Sequence, residues 1–438
     1  MERHIMKKLI QWKNSKKKKP LIIKGARQVG KTYIIRQFGK ENYRNVLEIN
    51  FERDLKIRDV FKNTHDPKEL LEYFSIEERI DQNTLLFLDE IQACPDALTA
   101  LKFMGEEFPC DIICSGSLLG VAISKSSSYP VRYVDTVEMF PLSFIEFLRA
   151  MNVNDSILKR VLDCVNDLKP IPSLLHDKMN EYFSLYMMIG GMPEVVQEYI
   201  DSKDKRECLR IQRAIVNDYL VDMVKYSDAS QAIKIRECFE SIPLQLAKEN
   251  HKFQYSLIKK GYNARYFDNS LQWLKDAGII IQINRLAHID YPLKKEIELS
   301  IFKIYMADTG LLISCFDDRD VLRVMRQEIN IYKGAIYENI VAQMLRRLSI
   351  DSYYYEPNQY SEIDFIIDTL DGITPIEVKA GNHTISKSFK NFVTKYTPQY
   401  AFRLSAKNIG KDEENGIYYF PLYALEFKLD KEENILDK

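Results

Sequence analysis

The chain has 438 residues, more than one hydrophobic core ordinarily supports, so two or three domains are expected. Its 46% hydrophobic and 29% charged residues exclude a disordered or fibrous chain, and 62 basic against 63 acidic side chains exclude a chain-wide field drawing it to nucleic acid or an anionic membrane. The seven cysteines (Cys94, Cys110, Cys114, Cys164, Cys208, Cys238 and Cys315) form no C-x-x-C pair, which suits a reducing cytosol and argues against a disulfide framework or a zinc site.

The first residues are basic (Lys7, Lys8, then Lys16 to Lys19) but lack the apolar stretch and small-residue cleavage site of a secretory signal. The Lys16 to Lys19 run reads as a solvated linker, with phosphate contact as the alternative. Apolar runs such as Leu85 to Leu88 and Gly278 to Ile281 fall far short of the ~20 residues that span a bilayer, so a cytoplasmic protein without a membrane segment is expected.

Leu21, Ile22 and Ile23 predict a strand; Gly25-Ala26-Arg27-Gln28-Val29-Gly30-Lys31-Thr32 follows, and then an amphipathic stretch carrying Ile34, Ile35 and Phe38. Strand, glycine loop and helix at G-x-x-x-x-G-K-T spacing make a phosphate cradle. The glycines allow the backbone N–H groups to converge on the ligand, and the helix N-terminus adds positive dipole. Lys31 is expected at the β- and γ-phosphates of a nucleoside triphosphate, most simply ATP, with the Thr32 hydroxyl on Mg²⁺.

Thr84 to Asp89 is an apolar run closed by two acids, as in a buried parallel strand; Asp89 is expected at the Mg²⁺ and Glu90 at the attacking water. Cys110 to Ser115 reads as the next core strand, bringing Ser115 and Ser117 to the same edge. There a hydroxyl either senses the γ-phosphate or caps the following helix.

These elements, with Ser115-Gly-Ser-Leu-Leu-Gly120 and Met139-Phe-Pro-Leu-Ser-Phe-Ile-Glu146, resemble the bacterial and archaeal predicted ATPases of the AAA superfamily. The resemblance continues through Ile189-Gly-Gly-Met-Pro-Glu194 and Tyr305-Met-Ala-Asp308-Thr-Gly310, and so covers nearly the whole chain. It implies an AAA-type core with Lys31 and Thr32 at phosphates and magnesium, Asp89 as the metal-site acid and Glu90 as the hydrolytic base. It also implies a C-terminal region of unknown function. Two departures stand out. Ser115 is nearest the sensor position where many AAA enzymes carry Asn. No arginine is fixed as the finger either, Arg132 being the candidate and Arg27 and Arg149 its rivals.

The stretch Lys203 to Lys225 predicts a basic amphipathic helix. Beyond it, Tyr255 to Ile258 and Ala264 to Lys275 predict helix, turn, helix. Strands at Ile279 to Arg285 and Leu299 to Tyr305 would complete a winged helix whose second helix carries Arg265, Asn269 and Gln272 outward. Such a module either enters a DNA groove or docks a protein partner, and the sequence leaves both open.

Further on, Gly334 to Leu345 predicts a helix with Glu338 near its start, Glu362 to Ile367 a strand, and Pro375 to Gly381 its partner across a turn at Asp371-Gly372. Asp364 and Glu377 at adjacent strand ends would bind Mg²⁺, with Glu338 completing the shell and Lys379 stabilising a cleaved phosphate. Asp followed by Glu-x-Lys after a helical Glu resembles the restriction-endonuclease-like nucleases, although Ile363 stands where the motif usually has Pro.

The expected architecture is therefore α/β, in three parts. Residues 1–200 would form an AAA-like P-loop NTPase domain with a parallel sheet and helical lid. Residues 201–315 would form a helical and winged-helix domain, and residues 316–438 a restriction-endonuclease-like domain. The leading functional expectation is an ATP-dependent switch coupled to a nuclease-like domain acting on DNA. The alternatives are a nucleotide-dependent regulatory or docking protein whose nuclease-like domain has lost its chemistry, and a ring-forming ATPase that remodels a protein partner.

Overall fold

The computed structural model describes residues 1–76, 79–125, 132–248, 252–326, 328, 332–358, 360–380 and 386–430, the side chains of residues 124 and 125 excepted. The chain divides into two compact units: residues 1–140 with 272–279, and residues 141–271 with 280–438. Among the described residues, no helix is long and apolar enough to cross a membrane.

The first unit is built on five parallel strands, β1 (Leu21–Lys24), β2 (Asn45–Asn50), β3 (Thr84–Asp89), β4 (Asp111–Ser115) and β5 (Asp135–Glu138), in the order β2-β3-β4-β1-β5. The apolar run of β3 is explained by its place, since every residue of the strand is buried. Leu86 and Leu88 join Phe51, Phe61, Leu101 and Met104 in the core beneath the sheet. Each such side chain contributes about 1.5–3 kcal/mol by leaving water. The register aligns Asn50 with Asp89 across β2 and β3, and Ile23 with Ser115 across β1 and β4. The polar ends of four strand segments therefore share the carboxyl edge, where ligands of such sheets bind.

The second unit is helical in its first part and then carries a mixed eight-stranded sheet. Its strands are β6 (Ile280–Leu286), β7 (Ile297–Met306), β8 (Ser352–Asn358), β9 (Ser361–Thr369), β10 (Gly372–Val378), β11 (Phe402–Ser405), β12 (Gly410–Asp412) and β13 (Ile417–Pro421). The sheet order is β12-β13-β11-β10-β9-β8-β6-β7. The hairpin β9–β10 forms as its turn chemistry predicts, Gly372 taking a φ of 97°.

The strands expected as a wing do pair, Ile280 opposite Met306, but they do not stand alone. β6 also runs parallel to β8, Asn284 beside Tyr353 and Leu286 beside Tyr355, so the hairpin is one end of the large sheet. The physical reason lies in β6 itself: Ile280, Ile281, Ile283 and Leu286 are buried, more apolar surface than a two-stranded wing can cover. Arg265, Asn269 and Gln272 are exposed on their helix, as the amphipathic pattern predicts.

The glycine and acid motifs of the second unit are structural. Asp308 is buried and accepts hydrogen bonds from Gly191 N (2.7 Å) and Leu311 N (3.0 Å), which caps the helix Thr309–Ser314. Burial pushes its carboxyl up to about 6, against the pull of these backbone donors. Gly190 has a φ of +74°, and a Cβ there would stand 2.1 Å from an Asp308 carboxylate oxygen, so only glycine fits. Around this joint Gln343 accepts from Thr309 N and Oγ1 and donates to the Tyr186 hydroxyl, while Asn339 bonds both the N–H and the carbonyl of Met306.

Candidate functional site

The glycine loop lies between the end of β1 and the helix Lys31–Asn42, as read from its spacing. Gly25 has a φ of +149° and passes so close to the chain after β5 that a Cβ would sit 2.2 Å from the Met139 carbonyl oxygen. Ala26 and Val29 are buried, Gln28 has a φ of 66°, and Gly30 precedes the helix with a φ of 95°. The helix is held by Ile34, Ile35 and Phe38, all fully buried.

Lys31 is folded back on its own loop, its Nζ donating to the carbonyls of Gly25 (2.9 Å) and Ala26 (2.7 Å). Burial lowers the pKa of this ammonium to about 8, Glu90 and Asp89 opposing the shift and Arg27 adding to it.

Asp89 is the hub of the edge. It accepts from the Thr32 hydroxyl at 3.3 Å, from Asn50 Nδ2 at 3.1 Å and from the Ser115 hydroxyl. Burial raises its pKa, while the hydrogen bonds from Ser115 and Asn50 pull it down and Glu90 pushes it further up. Thr32, Asp89 and Ser115 are therefore brought together as expected. Asn50 is an addition, marked in the sequence only by its place at the end of a strand.

Glu90, at a φ of 52°, is turned toward Ser117 and Gln92. It accepts from Ser117 Oγ at 3.1 Å, from Ser117 N at 3.3 Å and from Gln92 Nε2 at 2.5 Å. Ser117 thus bonds a carboxylate.

A second unforeseen residue is Arg3, buried at the start of the chain, which donates to the carbonyls of Val29 (3.0 Å) and Phe140 (2.6 Å) and so ties the loop to the segment after β5. No spacing signal marked it. Of the arginines weighed as a finger, Arg132 is exposed beside residues 126–131, which lie outside the described chain; Arg149 is ion-paired with Asp155 at 3.0 Å; and Arg27 lies in the loop.

The acids of the second unit also gather, around different partners. Asp364 on β9, Glu377 on β10 and Glu338 on the helix Lys333–Arg347 are all buried. Asp364 accepts from Val378 N at 2.7 Å and lies 3.9 Å from Lys379 Nζ, which is 3.5 Å from Glu377. Burial pushes the Asp364 carboxyl up to about 7, Lys379 resisting and Glu338 reinforcing it.

Three cationic or hydroxyl groups missed in the sequence complete the cluster. Arg403 on β11 faces Glu377 at 3.4 Å; Lys303 on β7 lies 3.2 Å from Glu338 and also pairs with Glu362; and the Tyr305 hydroxyl donates to Glu338 at 2.7 Å. The signal was present for Lys303, a lone lysine in the apolar run Ile301 to Met306. Among the described residues, no group of three His, Cys, Asp or Glu side chains is arranged to hold a metal ion.

Comparison with known proteins gives three matched stretches. Residues 17–148 match an AAA domain, residues 180–321 a domain of unknown function (DUF8612) and residues 333–425 another (DUF4143). An uncharacterized protein of Haemophilus influenzae is 29% identical over 203 residues, which are 44% of this chain and 43% of that protein, so the match spans less than half of the relative's length. Similar solved structures include the Walker-type ATPase PABY2304 of Pyrococcus abyssi, at 16% identity and a TM-score of 0.44 over 72% of this chain and 95% of that one. Another is the Orc1 protein of Aeropyrum pernix, solved in complex with DNA, at 12% identity and a TM-score of 0.29 over 74% of this chain and 95% of that one. With the glycine loop, the parallel sheet and the Asp89 edge in place, residues 17–148 form an AAA-type ATPase domain.

Proposed function

We propose that the first unit binds and hydrolyses ATP with Mg²⁺, and that the bound nucleotide switches a C-terminal domain that recognises a partner without cutting DNA. The observation that supports the ATPase half is the meeting of Thr32, Asp89 and Ser115 at the carboxyl edge beside the glycine loop. The hydroxyl and carboxylate oxygens are the hard ligands Mg²⁺ takes, and Asp89 is held by neutral donors that leave its charge to the ion. When bound, Mg²⁺ neutralises phosphate charge. Lys31 exchanges its two loop carbonyls for phosphate oxygens, and the loop amides and helix N-terminus carry the remaining negative charge. Glu90, released from Ser117, orients the attacking water and accepts its proton.

For the C-terminal domain, the cluster of Lys303, Lys379 and Arg403 around Glu338, Asp364 and Glu377 favours the regulatory reading over the nuclease reading. The order of acids retains the likeness to restriction-endonuclease-like nucleases, but the donor set does not fit a divalent ion: the carboxylates are answered by ammonium and guanidinium groups. The switch acts on a partner protein through the second unit, where the first part of the helix Ala264–Asp276 exposes Arg265 and Asn269.

Two measurements test the proposal. Purified protein should release phosphate from ATP only with Mg²⁺, and Lys31→Ala should abolish release; phosphate release that survives this substitution sinks the ATPase half. The same protein, given single- or double-stranded DNA with ATP and Mn²⁺, should leave the DNA intact. Cleavage that disappears in Lys379→Ala would restore the nuclease reading.

A further inference from the structure

Lys303 is the anomaly of the second unit. A lysine flanked by Phe302 and Ile304 on a strand ought to point into water, yet Lys303 is only 1% exposed. A buried ammonium is tolerated only where carboxylates meet it. Lys303 meets two, Glu338 Oε2 at 3.2 Å and Glu362, and its ammonium lies 5.1 Å from the centre of the Tyr354 ring. The Tyr305 hydroxyl satisfies the same Glu338 oxygen at 2.7 Å. Burial alone would lower the Lys303 pKa, but Glu338, Tyr305, Glu362 and Asp364 outweigh it and hold the group charged, well above its ordinary value.

The geometry therefore points to Lys303 as a built-in counter-cation: its ammonium is shared by Glu338 and Glu362, the place a divalent ion would take to bridge these two acids, and while it is present the C-terminal sheet takes up no metal. The acids Glu338, Glu362, Asp364 and Glu377 carry four formal negative charges, and Lys303, Lys379 and Arg403 carry three positive ones. A divalent ion entering this set would turn a nearly neutral cluster into a net positive one and would have to displace a buried ammonium from its hydrogen-bonded place. Removing Lys303 leaves Glu338 and Glu362 without the cation they share, so a place with the charge and ligand chemistry a hard cation takes is opened.

The inference deepens the non-cutting reading proposed above and names the residue responsible for it. Its test needs neither DNA nor nucleotide, so the result stands apart from whether the ATPase unit switches anything. Mn²⁺ serves as the probe, its binding to the full nucleotide-free chain counted by electron paramagnetic resonance for wild type, Glu338→Gln, Lys303→Met and Lys303→Met/Glu338→Gln. Wild type and Glu338→Gln should bind equal amounts of Mn²⁺. Lys303→Met should gain one Mn²⁺ per chain, and the double variant should lose it again. Wild-type Mn²⁺ uptake that Glu338→Gln abolishes would overturn the proposal, as would a folded Lys303→Met that gains no ion. Should Lys303→Met fail to fold, Lys303→Gln is counted in its place and is held to the same gain.

Discussion

Asp89 and Asp364 are both buried carboxylates on core strands, yet their surroundings teach opposite lessons. Asp89 is held by two hydroxyls and an amide, from Thr32, Ser115 and Asn50. Neutral donors fix a carboxylate without cancelling its charge, and the charge stays available to a cation that arrives from solution. Asp364 lies among charged neighbours, with Lys379 3.9 Å away and Lys303 close enough to influence its proton. A carboxylate answered from within is locked; one held by neutral groups is poised. Burial therefore does not distinguish the two acids, whereas the charge of the groups around each does.

The comparison is broken most directly by removing one acid from each place. Glu90→Gln should slow ATP hydrolysis by about 10²–10⁴-fold, the usual contribution of a positioned base, while ATP affinity is kept. Glu377→Gln should leave phosphate release unchanged. Equal losses in the two variants, measured by steady-state phosphate release, would mean that the clusters are not separate.

Stability sharpens the contrast. Lys303→Met leaves Glu338 buried with less compensation and should cost about 3–5 kcal/mol, the range for breaking a buried pair. Ser115→Ala removes one neutral donor to Asp89 and should cost only about 1–3 kcal/mol. Urea unfolding followed by tryptophan fluorescence and circular dichroism would check both, with the two compact units scored separately where their transitions separate.

Much of the molecule was legible in the sequence, and the reasons for the exceptions are physical. The loop from Gly25 to Thr32, the buried β3 run and the β9–β10 hairpin follow from local rules: glycine spacing, unbroken apolarity and turn chemistry. The strand β6 was found, but its place was not, because the parallel pairing with Tyr353 to Tyr355 joins segments far apart in the chain. Arg3 and Arg403 were missed for the same reason, their partners being carbonyls and acids supplied by distant segments. Lys303 could have been flagged: a charge inside Ile301 to Met306 breaks the apolar pattern and requires a hidden partner.

A pH measurement tests the poised side of the contrast. The free Lys31 ammonium titrates near 8, because burial lowers it. Below that pH the group is already charged and meets phosphate directly. Above it, binding ATP must first restore the proton, so affinity should fall as pH rises through 8, approaching about tenfold per pH unit. Calorimetric titration from pH 7 to 9.5 would reveal the fall; an affinity flat across this range would show that Lys31 stays charged without phosphate.

The smallest expected effect concerns Ser117. Its hydroxyl and backbone N–H hold Glu90 at 3.1 and 3.3 Å, with Gln92 assisting, so under the proposed mechanism the carboxylate must leave these donors to orient a water. One neutral hydrogen bond to a charged group contributes about 1.5–3 kcal/mol in full, but Ser117→Ala leaves the backbone donor and Gln92 in place. The substitution should therefore raise phosphate release by only a few-fold, with no change in ATP affinity. A fall in turnover instead would mean that Ser117 aims Glu90 at the water, making the observed contact the working arrangement and not a resting one.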